Sequence, residues 1–351
     1  MSSLRVSSQA GSYEIHLHNY DKVNNANGLT VVDSKVPQTL VGPSASQLTL
    51  EISEKIKTLS TVERILLALK EAGTTRAGQL VAVGGGAIQD LATLSASLYM
   101  RGIEWVYYPT TLASMADSCV GGKSSINLAG YKNVIGNFYP PKKVVIDTRF
   151  IDSLPEAEYL CGLAEGVKIC FAKGEPEFED FIGNAAAHGK TSPEDSGELV
   201  SLCLKSKKWF VEIDEHDKKE RQLLNFGHSF GHALESASDF RIPHGIAVGI
   251  GMLAATNPRW GSLHPSTTTL RNYLISIMTK WPNKESALGM IAWDVFEETI
   301  RQDKKNTDTS LRLILSNGAG ALYVAELPKS VETFSMLMEV AVDSVEEVLG
   351  N

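Results

Sequence analysis

Apolar residues follow strand and helix patterns in turn along the first half of the chain. Residues 28–36, GLTVVDSKV, form an apolar run that predicts a buried strand, and residues 61–71 space their apolar positions as an amphipathic helix does. A second apolar run at residues 80–83 predicts another strand, followed by three glycines and a helical pattern at residues 88–99. Such alternation indicates a parallel sheet with helices packed against it, as in Rossmann-like nucleotide-binding domains.

The pattern changes near residue 154. Residues 105–108 and 142–147 complete the series of strands, and from Pro155 onward helical spacing dominates while strand signals become scarce. We therefore predict a fold class of α/β plus α. A nucleotide-binding α/β domain is expected over residues 1–154 and an all-helical domain over residues 155–351.

Composition restricts the classes of protein to which the chain can belong. Hydrophobic residues at 43% and charged residues at 21% of 351 residues are typical of a globular protein large enough for two domains. The net charge of −8 argues against a nucleic-acid surface, since phosphate backbones are held by clustered Lys and Arg. The longest apolar stretches are too short to span a bilayer and no secretion signal opens the chain, so we expect no membrane association and a cytoplasmic location. The four cysteines show no CxxC spacing and predict neither a thiolate zinc site nor a redox dithiol.

The glycine triplet is the first candidate for a binding site. In VAVGGGAIQD, residues 81–90, it lies between the predicted strand and helix, so a phosphate can approach the amides of the helix N-terminus without meeting side chains. This position favours dinucleotide binding. A tight turn packed against its helix is the alternative, and glycines by themselves do not decide between the two.

Histidines form the second candidate. His228 and His232 are four residues apart in NFGHSFGHALE, on one face of a predicted helix, and His244 follows a proline break. A catalytic zinc ion needs three nitrogen or oxygen ligands and an open position, which two histidines and a carboxylate provide. The spacing alone does not choose between Glu165, in GLAEGVK, and Glu235 as that carboxylate. The alternative is a pair of helix histidines satisfied by hydrogen bonds in the core.

A polar and basic group surrounds a second glycine-rich stretch. Its members, in and around RGIEW, DSCVGGKSSIN and YKNVIG, are Arg101, Asp117, Lys123, Lys132 and Asn133. Ammonium and amide groups among small residues can surround a phosphate or a carboxylate, which predicts an oxyanion site. A solvated charged surface is the alternative. It is the stronger interpretation for the lysines at residues 142–143 and 205–219.

Seven motifs resemble, in order and spacing, those of the 3-dehydroquinate synthase family. They are GGGAIQD, RGIEWVYYPTTL, DSCVGGKSSIN, KNVIGNFYPP, LPEAEYLCGLAEGVK, LLNFGHSFGHALE and PHG, and the resemblance runs from about residue 33 to residue 306. It implies an NAD-binding domain joined to a helical metal-binding domain, with the active site between the two, in a homodimer. The implied cofactors are NAD and zinc, or cobalt or another divalent metal in place of zinc.

The resemblance also implies roles for individual residues. The implied metal ligands are Glu165, His228 and His244, with His232 beside the metal as a phosphate and proton contact. The positions that match NAD contacts of the family are Asp33, Glu54, Lys57, Gly85, Gly86, Asp90, Thr110, Thr111, Asp117, Lys132 and Glu158.

Further positions match substrate contacts of the family. Those implied for the substrate phosphate are Lys123, Asn133, His232, one of Lys304 and Lys305, and Arg101 reaching in from the partner subunit. Lys207 and Arg221 match the pair that binds the substrate carboxylate. Lys168 and Asn225 match residues around the reacting hydroxyls. The implied catalytic residues are Asp117, Lys123, Lys168, Asn225 and His232.

The implied reaction converts 3-deoxy-D-arabino-heptulosonate 7-phosphate, a phosphorylated sugar acid, into 3-dehydroquinate and phosphate, a step of the shikimate pathway. NAD oxidises the substrate transiently, phosphate is eliminated, the hydride returns, and an aldol step closes the ring. A metal that binds adjacent hydroxyls lowers their pKa and orients the carbon that loses its hydride, while protein groups hold geometry and charge.

Several residues depart from the family pattern. Gln89 stands where a smaller residue is usual, Leu128 replaces a common histidine, and YPP replaces YQP at residues 139–141. The last two features resemble cyclases of secondary metabolism, which make amino-dehydroquinate, valiolone or inosose products. Arg221 and Asn225 favour a carboxylate-bearing substrate, since the valiolone and inosose types generally carry an acidic residue at the position of Asn225.

Two other classes of protein stay open. A metal-dependent polyol dehydrogenase shares the glycine triplet and the two-domain plan but releases NADH, and it needs no anion-binding residues such as Lys123, Lys207 and Arg221. A binding or scaffold protein could keep the fold without turnover, although complete metal and anion sets argue against it. Residues 258–269 are expected to be irregular, which is a further difference from the family pattern. The sequence does not determine the exact substrate, the native metal or the pathway.

Overall fold

The computed structural model describes residues 3–17, 23–129 and 131–350. The chain forms two compact units: Met1–Leu154 together with Lys190–Glu215, and Pro155–Gly189 together with His216–Asn351. The prediction of a single boundary near residue 154 made no allowance for the return of Lys190–Glu215 to the first unit.

Strands of the described residues are numbered in chain order. Their bounds are β1 (Ser3–Val6), β2 (Tyr13–Leu17), β3 (Val23–Asp33), β4 (Val41–Leu50), β5 (Gln79–Gly84), β6 (Glu104–Pro109), β7 (Ile126–Leu128), β8 (Tyr131–Ile135), β9 (Lys143–Ile146), β10 (Ser310–Ser316) and β11 (Leu322–Pro328).

Helices are numbered in the same way. Their bounds are α1 (Leu59–Glu71), α2 (Gly86–Leu98), α3 (Glu156–Lys173), α4 (Glu177–Gly183), α5 (Pro193–Ile213), α6 (His228–Ala237), α7 (His244–Ala255), α8 (Pro265–Met278), α9 (Lys284–Leu288), α10 (Trp293–Arg301) and α11 (Val331–Leu349). Short 3₁₀ turns cover Glu54–Ile56, Tyr99–Arg101, Thr148–Ser153, Ala185–His188, Glu220–Asn225 and Pro258–Trp260, and a π-helical turn covers Ser114–Ser118.

A seven-stranded sheet forms the centre of the first unit, in the order β1-β2-β9-β6-β5-β3-β4. Neighbouring strands are parallel except β1 with β2, which confirms the predicted parallel α/β fold. The side chains of Leu80, Val81, Ala82 and Val83 in β5 are buried, as expected of a central parallel strand with both faces covered. α2 packs against β3, β5 and β6. The carboxyl ends of β3, β5 and β6 therefore lie side by side, next to the N-terminus of α2.

Helix α7 forms the centre of the second unit and contacts α3, α6, α8 and α11. It is apolar all round, and every residue from Gly245 to Ala255 is buried. Glycines let the backbones touch. A Cβ built at Gly251 would lie 2.1 Å from the carbonyl oxygen of Gly227 at the start of α6, and one at Gly245 would lie 2.5 Å from Cα of Cys161 in α3. This close packing brings the residues of α3, α6 and α7 together.

Two predictions for the second half need correction. Residues 265–269 are not irregular, because α8 begins at Pro265, and the backbone N–H of Ser266 donates to Nδ1 of His264 at the cap. Proline at the first helical position is a regular start signal. The second unit is also not entirely helical, since β10 and β11 form an antiparallel pair whose first strand alternates buried and partly buried residues. Otherwise the predicted helical character is confirmed.

Among the described residues, no helix is both long enough and apolar enough to cross a membrane.

Candidate active site

Glu165, His228 and His244 come together in the second unit. Glu165 lies in the middle of α3, whereas His228 and His244 are the first residues of α6 and α7. One carboxylate oxygen and one nitrogen of each ring lie within 4.8 Å of one another, which is the arrangement of three ligands around a single ion. The predicted set is thus brought together by three helices.

The second candidate carboxylate, Glu235, lies on the other side of the His244 ring. Its Oε2 is 3.1 Å from Nδ1 of His244, while Oε1 of Glu165 is 3.3 Å from Nε2. Metal-binding histidines commonly donate their second ring N–H to a carboxylate, which fixes the orientation of the ring. The sequence could not distinguish these two carboxylates. The geometry gives them different positions, with Glu165 near Nε2 of His244 and Glu235 near Nδ1.

The residues present fit a divalent metal. Oε1 of Glu165 is buried and makes no hydrogen bond of good geometry, although Nε2 of His244 lies 3.3 Å away, while Oε2 accepts from Nζ of Lys168 at 2.5 Å. A buried carboxylate oxygen without a hydrogen bond is costly unless a cation binds it. Nδ1 of His228 is 3.1 Å from the carbonyl oxygen of Phe226, so its N–H donates there and leaves Nε2 as a lone-pair donor.

The pKa values of the three histidines differ because their surroundings differ. Burial, reinforced by Lys168 and the two neighbouring rings, holds the pKa of His228 well below its usual value. Burial likewise lowers the pKa of His232 to about 4. Removal of water from the inner side of the His244 ring opposes its charge, although 49% of the side chain stays exposed, but contact with the Glu165 and Glu235 carboxylates raises its pKa to about 10. Burial by itself raises the pKa of Glu165. Lys168 and His244 lower it by more than burial raises it, so the pKa lies well below its usual value.

His232 lies beside this cluster, with its ring centroid 5.4 Å from that of His228. Asp303 accepts a hydrogen bond from the Ser229 hydroxyl at 2.9 Å and pairs with Nζ of Lys305 at 2.8 Å. Lys305 lowers the pKa of His232 and Asp303 raises it. Lys304 is exposed, whereas Lys305 is tied through Asp303 to Ser229 on the helix that carries His232, which favours Lys305 among the two candidate phosphate contacts.

Three more predicted residues of the second unit lie near the ends of its helices. Arg221 is buried in the turn before α6 and pairs with Asp217 at 2.9 Å. Asn225, in the same turn, donates from Nδ2 to the carbonyl oxygen of Gln222 at 3.1 Å. Glu158 is exposed in the first turn of α3.

In the first unit, the glycine triplet forms the connection from β5 to α2. A Cβ at Gly84 would lie 2.4 Å from Cγ1 of Ile88, and one at Gly85 would lie 3.1 Å from Cγ2 of Thr111. Thr110 and Thr111 follow β6, which is the neighbour of β5, and Asp33 ends β3 on its other side. Free amides at the N-terminus of a 13-residue helix, beside the carboxyl ends of parallel strands, suit a dinucleotide.

A buried polar cluster lies next to this turn. Nζ of Lys57 is 2.9 Å from Oδ2 of Asp90 and 3.4 Å from Oε1 of Glu54, and it donates to Oδ1 of Asn133 at 3.2 Å. Burial raises the pKa of Asp90 to about 6, although Lys57 opposes that change. Burial by itself lowers the pKa of Lys57, but Asp90 and Glu54 raise it above its usual value. Four of the predicted residues therefore form one network.

Sequence reasoning missed two members of that network. Asn127 donates from Nδ2 to Oε1 of Glu54 at 3.0 Å and accepts from the backbone N–H of Asn133 at 3.0 Å. Ser125 donates its backbone N–H to Oδ1 of Asp90 at 3.0 Å. Both lie in the GGKSSIN stretch, whose small polar residues were the only signal.

The remaining predicted residues of the first unit have varied surroundings. Lys207, buried in α5, pairs with the carboxylate of Asp117 and donates to its carbonyl oxygen at 2.6 Å. Nζ of Lys123 is 5.8 Å from the ring centroid of Phe138. Lys132 is partly buried on β8, and Arg101 is exposed with a φ of 66°. A non-glycine residue in the left-handed region is uncommon and often marks a functional segment.

Comparisons with known proteins agree with this geometry. Residues 47–161 match the family model described as 3-dehydroquinate synthase N-terminal, and residues 162–306 match that described as 3-dehydroquinate synthase C-terminal. A 3-dehydroquinate synthase of Geobacter metallireducens is 37% identical over 298 residues, which cover 83% of this chain and 81% of that protein.

Solved structures show the same fold. A crystal structure of 2-deoxy-scyllo-inosose synthase complexed with carbaglucose-6-phosphate, NAD+ and Co2+ superposes with a TM-score of 0.81 at 23% identity, covering 97% of this chain and 99% of that one. The 2-epi-5-epi-valiolone synthase ValA from Streptomyces hygroscopicus subsp. jinggangensis 5008, with NAD+ and Zn2+ bound, gives 0.75 at 23% identity, covering 94% and 97%. At these identities the likeness concerns the fold alone.

Proposed function

Because the chain belongs to the 3-dehydroquinate synthase family, we propose that it converts 3-deoxy-D-arabino-heptulosonate 7-phosphate into 3-dehydroquinate and phosphate. This is a carbon–oxygen lyase reaction that ends in ring closure, and its product enters the shikimate pathway. The observation that carries the proposal is the convergence of Glu165, His228 and His244 from three helices, with His232 and Lys168 beside them.

Glu165, His228 and His244 would hold zinc, cobalt or another divalent metal in this proposal. Such a metal, when bound, lowers the pKa of substrate hydroxyls and holds them in place. Glu235 keeps the His244 ring oriented through Nδ1, and the Phe226 carbonyl does the same for His228. His244 keeps 49% of its side chain exposed, which leaves one side of the cluster accessible to a substrate.

His232 and Lys168 supply charge and protons next to the metal ligands. A pKa of about 4 leaves His232 neutral at pH 7, so a nitrogen of its ring can accept a hydrogen bond from the substrate. Lys168 is buried with its Nζ on Glu165 and lies one helical turn from it. An ammonium group in that position stabilises negative charge that develops on a reacting hydroxyl.

In the first unit, the turn through Gly85 and Gly86 and the threonines after β6 would bind NAD, which, when bound, takes a hydride from the substrate and returns it. Asp33 ends the strand next to β5, where an acidic side chain suits a ribose hydroxyl.

The network of Glu54, Lys57 and Asp90 holds Asn133 through its Oδ1. Lys57 and the Ser125 hydroxyl both donate to that oxygen, so the Nδ2 hydrogens of Asn133 are directed elsewhere and suit a phosphate oxygen.

Two cations are proposed for the substrate carboxylate. Lys207 and Arg221 are both buried and each is paired with an aspartate, Asp117 and Asp217. Burial makes a charged side chain costly unless an anion is present, so these pairs keep the cations in place for an acidic substrate. A valiolone- or inosose-type cyclase takes a substrate without that carboxylate, and is the second candidate because Leu128 and the YPP segment resemble those enzymes.

A phosphate-release assay tests the function. The purified protein with zinc, a catalytic amount of NAD and the seven-carbon keto-acid phosphate is expected to release inorganic phosphate without net NADH. Arg221→Ala is expected to impair use of this substrate, whereas the matched control Arg259→Ala, which removes an exposed arginine paired with Glu339 and Asp343, leaves it unchanged. Phosphate release only from a sugar phosphate without a carboxylate would move the assignment to the second candidate, and steady accumulation of NADH would indicate a dehydrogenase.

We also propose a homodimer. Leu98 and Met100 are exposed apolar residues just before Arg101 in the chain, and Asn137, next to the exposed Phe138, donates from its side chain to the Ser97 hydroxyl at 2.7 Å. An exposed apolar patch beside a strained arginine suits contact with a second copy of the chain. Met100→Asp is expected to shift the mass measured by light scattering from dimer to monomer, and an unchanged mass would count against this surface. A cytoplasmic location stays a prediction.

A further inference from the structure

Gln89 is buried in the first turn of α2, with 4% of its surface exposed. Its amide makes two hydrogen bonds to one residue. Nε2 donates to the carbonyl oxygen of Ser118 at 2.7 Å, and Oε1 accepts from the Ser118 hydroxyl at 2.6 Å. This reciprocal pair joins α2 to a segment 29 residues further along the chain.

That segment is the π-helical turn Ser114–Ser118. The backbone N–H of Cys119 donates to the carbonyl oxygen of Ser114 at 3.1 Å, five residues back. Such turns are rare and less favourable than α-helix, so they occur where side chains hold them. The Thr111 and Ser114 hydroxyls hold its start, and Gln89 holds its end.

The residue held by Gln89 is a direct neighbour of Asp117, which binds Lys207 through both its carboxylate and its carbonyl oxygen. Ser118 also lies beside the glycine-rich turn, because a Cβ at Gly86 would be 3.7 Å from its hydroxyl oxygen. One side chain therefore links the α2 N-terminus to the Asp117–Lys207 pair.

We propose that Gln89 is a positioning residue, which anchors the Ser114–Ser118 turn and thereby holds Asp117 against Lys207. Removal of two buried hydrogen bonds from the end of a marginal turn frees the peptide after Asp117 to move. Lys207 would then leave its aspartate part of the time. The effect on substrate binding rests on the proposed function, because it requires Lys207 to bind the substrate carboxylate, whereas the effect on Lys207 itself does not.

Lysine labelling on the full-length chain tests the proposal without any activity measurement. Acetic anhydride modification, followed by mass spectrometry, compares Lys207 with Lys208, its neighbour on α5, which pairs with Glu212 and serves as internal control. In Gln89→Met, which keeps the volume but makes no hydrogen bonds, Lys207 is expected to react about tenfold faster, the order expected for two lost buried hydrogen bonds. The rate at Lys208 should not change.

Further variants separate the hydrogen bonds from packing. Ser118→Ala removes one of the two hydrogen bonds and should give a smaller increase, and the double variant should react no faster than Gln89→Met alone, because both residues act as one unit. Hydrogen exchange of the amides of residues 117–120 should accelerate in parallel. If Gln89→Met does not fold, Ser118→Ala still decides the question, because it removes the hydroxyl hydrogen bond to Gln89 and leaves α2 unchanged.

Unchanged Lys207 labelling and unchanged amide exchange in a folded Gln89→Met would overturn the proposal. With the keto-acid phosphate as substrate, Gln89→Met should raise KM several-fold with a smaller change in kcat. If Lys207 labels faster in Gln89→Met while the KM of an active enzyme is unaffected, the positioning role holds and the result counts against Lys207 as a contact of the substrate carboxylate. An inactive wild-type enzyme would count against the proposed function only, since the labelling result is independent of turnover.

Discussion

Gly251 is a position at which α6 and α7, the helices that begin with two proposed metal ligands, touch through backbone atoms. A Cβ built there lies 2.1 Å from the carbonyl oxygen of Gly227 and 2.9 Å from the backbone nitrogen of Gly231. Unstrained contacts between such atoms are about 3.5 Å, so Gly251→Ala requires α6 and α7 to separate by roughly 1 Å. Gly227 directly precedes His228, and α7 begins at His244, so the separation acts on two proposed metal ligands.

The size of the effect follows from these contacts. Overpacking costs about 1–3 kcal/mol, and contact with backbone rather than a flexible side chain places this case at the upper end. Alanine returns about 1 kcal/mol of helix propensity, which leaves a net loss of about 2 kcal/mol in the free energy of unfolding. Metal sites tolerate displacements of only about 0.2 Å, so zinc affinity should fall by at least tenfold.

Denaturant unfolding and zinc titration with a competing chelator measure the two effects. Gly183→Ala is the matched control, because Gly183 ends α4 in the same unit and a Cβ there meets nothing within 4 Å. The control is expected to be neutral or slightly stabilising and to bind zinc normally. The reasoning is refuted if Gly251→Ala unfolds at the same denaturant concentration as Gly183→Ala and binds zinc equally well.

Three further predictions concern charged residues. Glu235→Ala should lower zinc affinity about 10- to 100-fold, because His244 loses its orienting carboxylate, and an unchanged affinity in chelator competition would exclude that role. Asp90 has a raised pKa of about 6, so the folded protein keeps a proton that the unfolded chain has released, and this stabilisation is lost as pH rises from about 4 to 6. The free energy of unfolding of Asp90→Asn minus that of the wild type should therefore increase by up to about 3 kcal/mol as pH rises over that interval. A difference that does not change with pH, measured by denaturant unfolding, would contradict this. Arg271→Met should destabilise the protein by about 2–4 kcal/mol, since the Glu347 carboxylate loses two hydrogen bonds of 2.5 and 2.6 Å, and Glu347→Leu in the same chain should recover part of the loss.

Local signals in the sequence determined the elements near each site. The strand β5, the glycine turn and α2 were predicted because apolar periodicity and glycine placement are properties of neighbouring residues. The spacing of His228 and His232 likewise placed both on one helix, and the family motifs indicated the reaction. Where local signals were overlooked, as at Pro265 and in the alternating strand β10, the prediction was wrong although the sequence carried the information.

Tertiary structure decided what depends on residues far apart in the chain. The sequence could not distinguish Glu165 from Glu235, because their positions around His244 follow from the packing of α3, α6 and α7 at glycine contacts. Lys207 meets Asp117 across 90 residues only because α5 returns to the first unit. Side-chain spacing along a chain fixes direction within one element, whereas distances between elements are set by the shapes of the surfaces they bury, and no local pattern records those shapes.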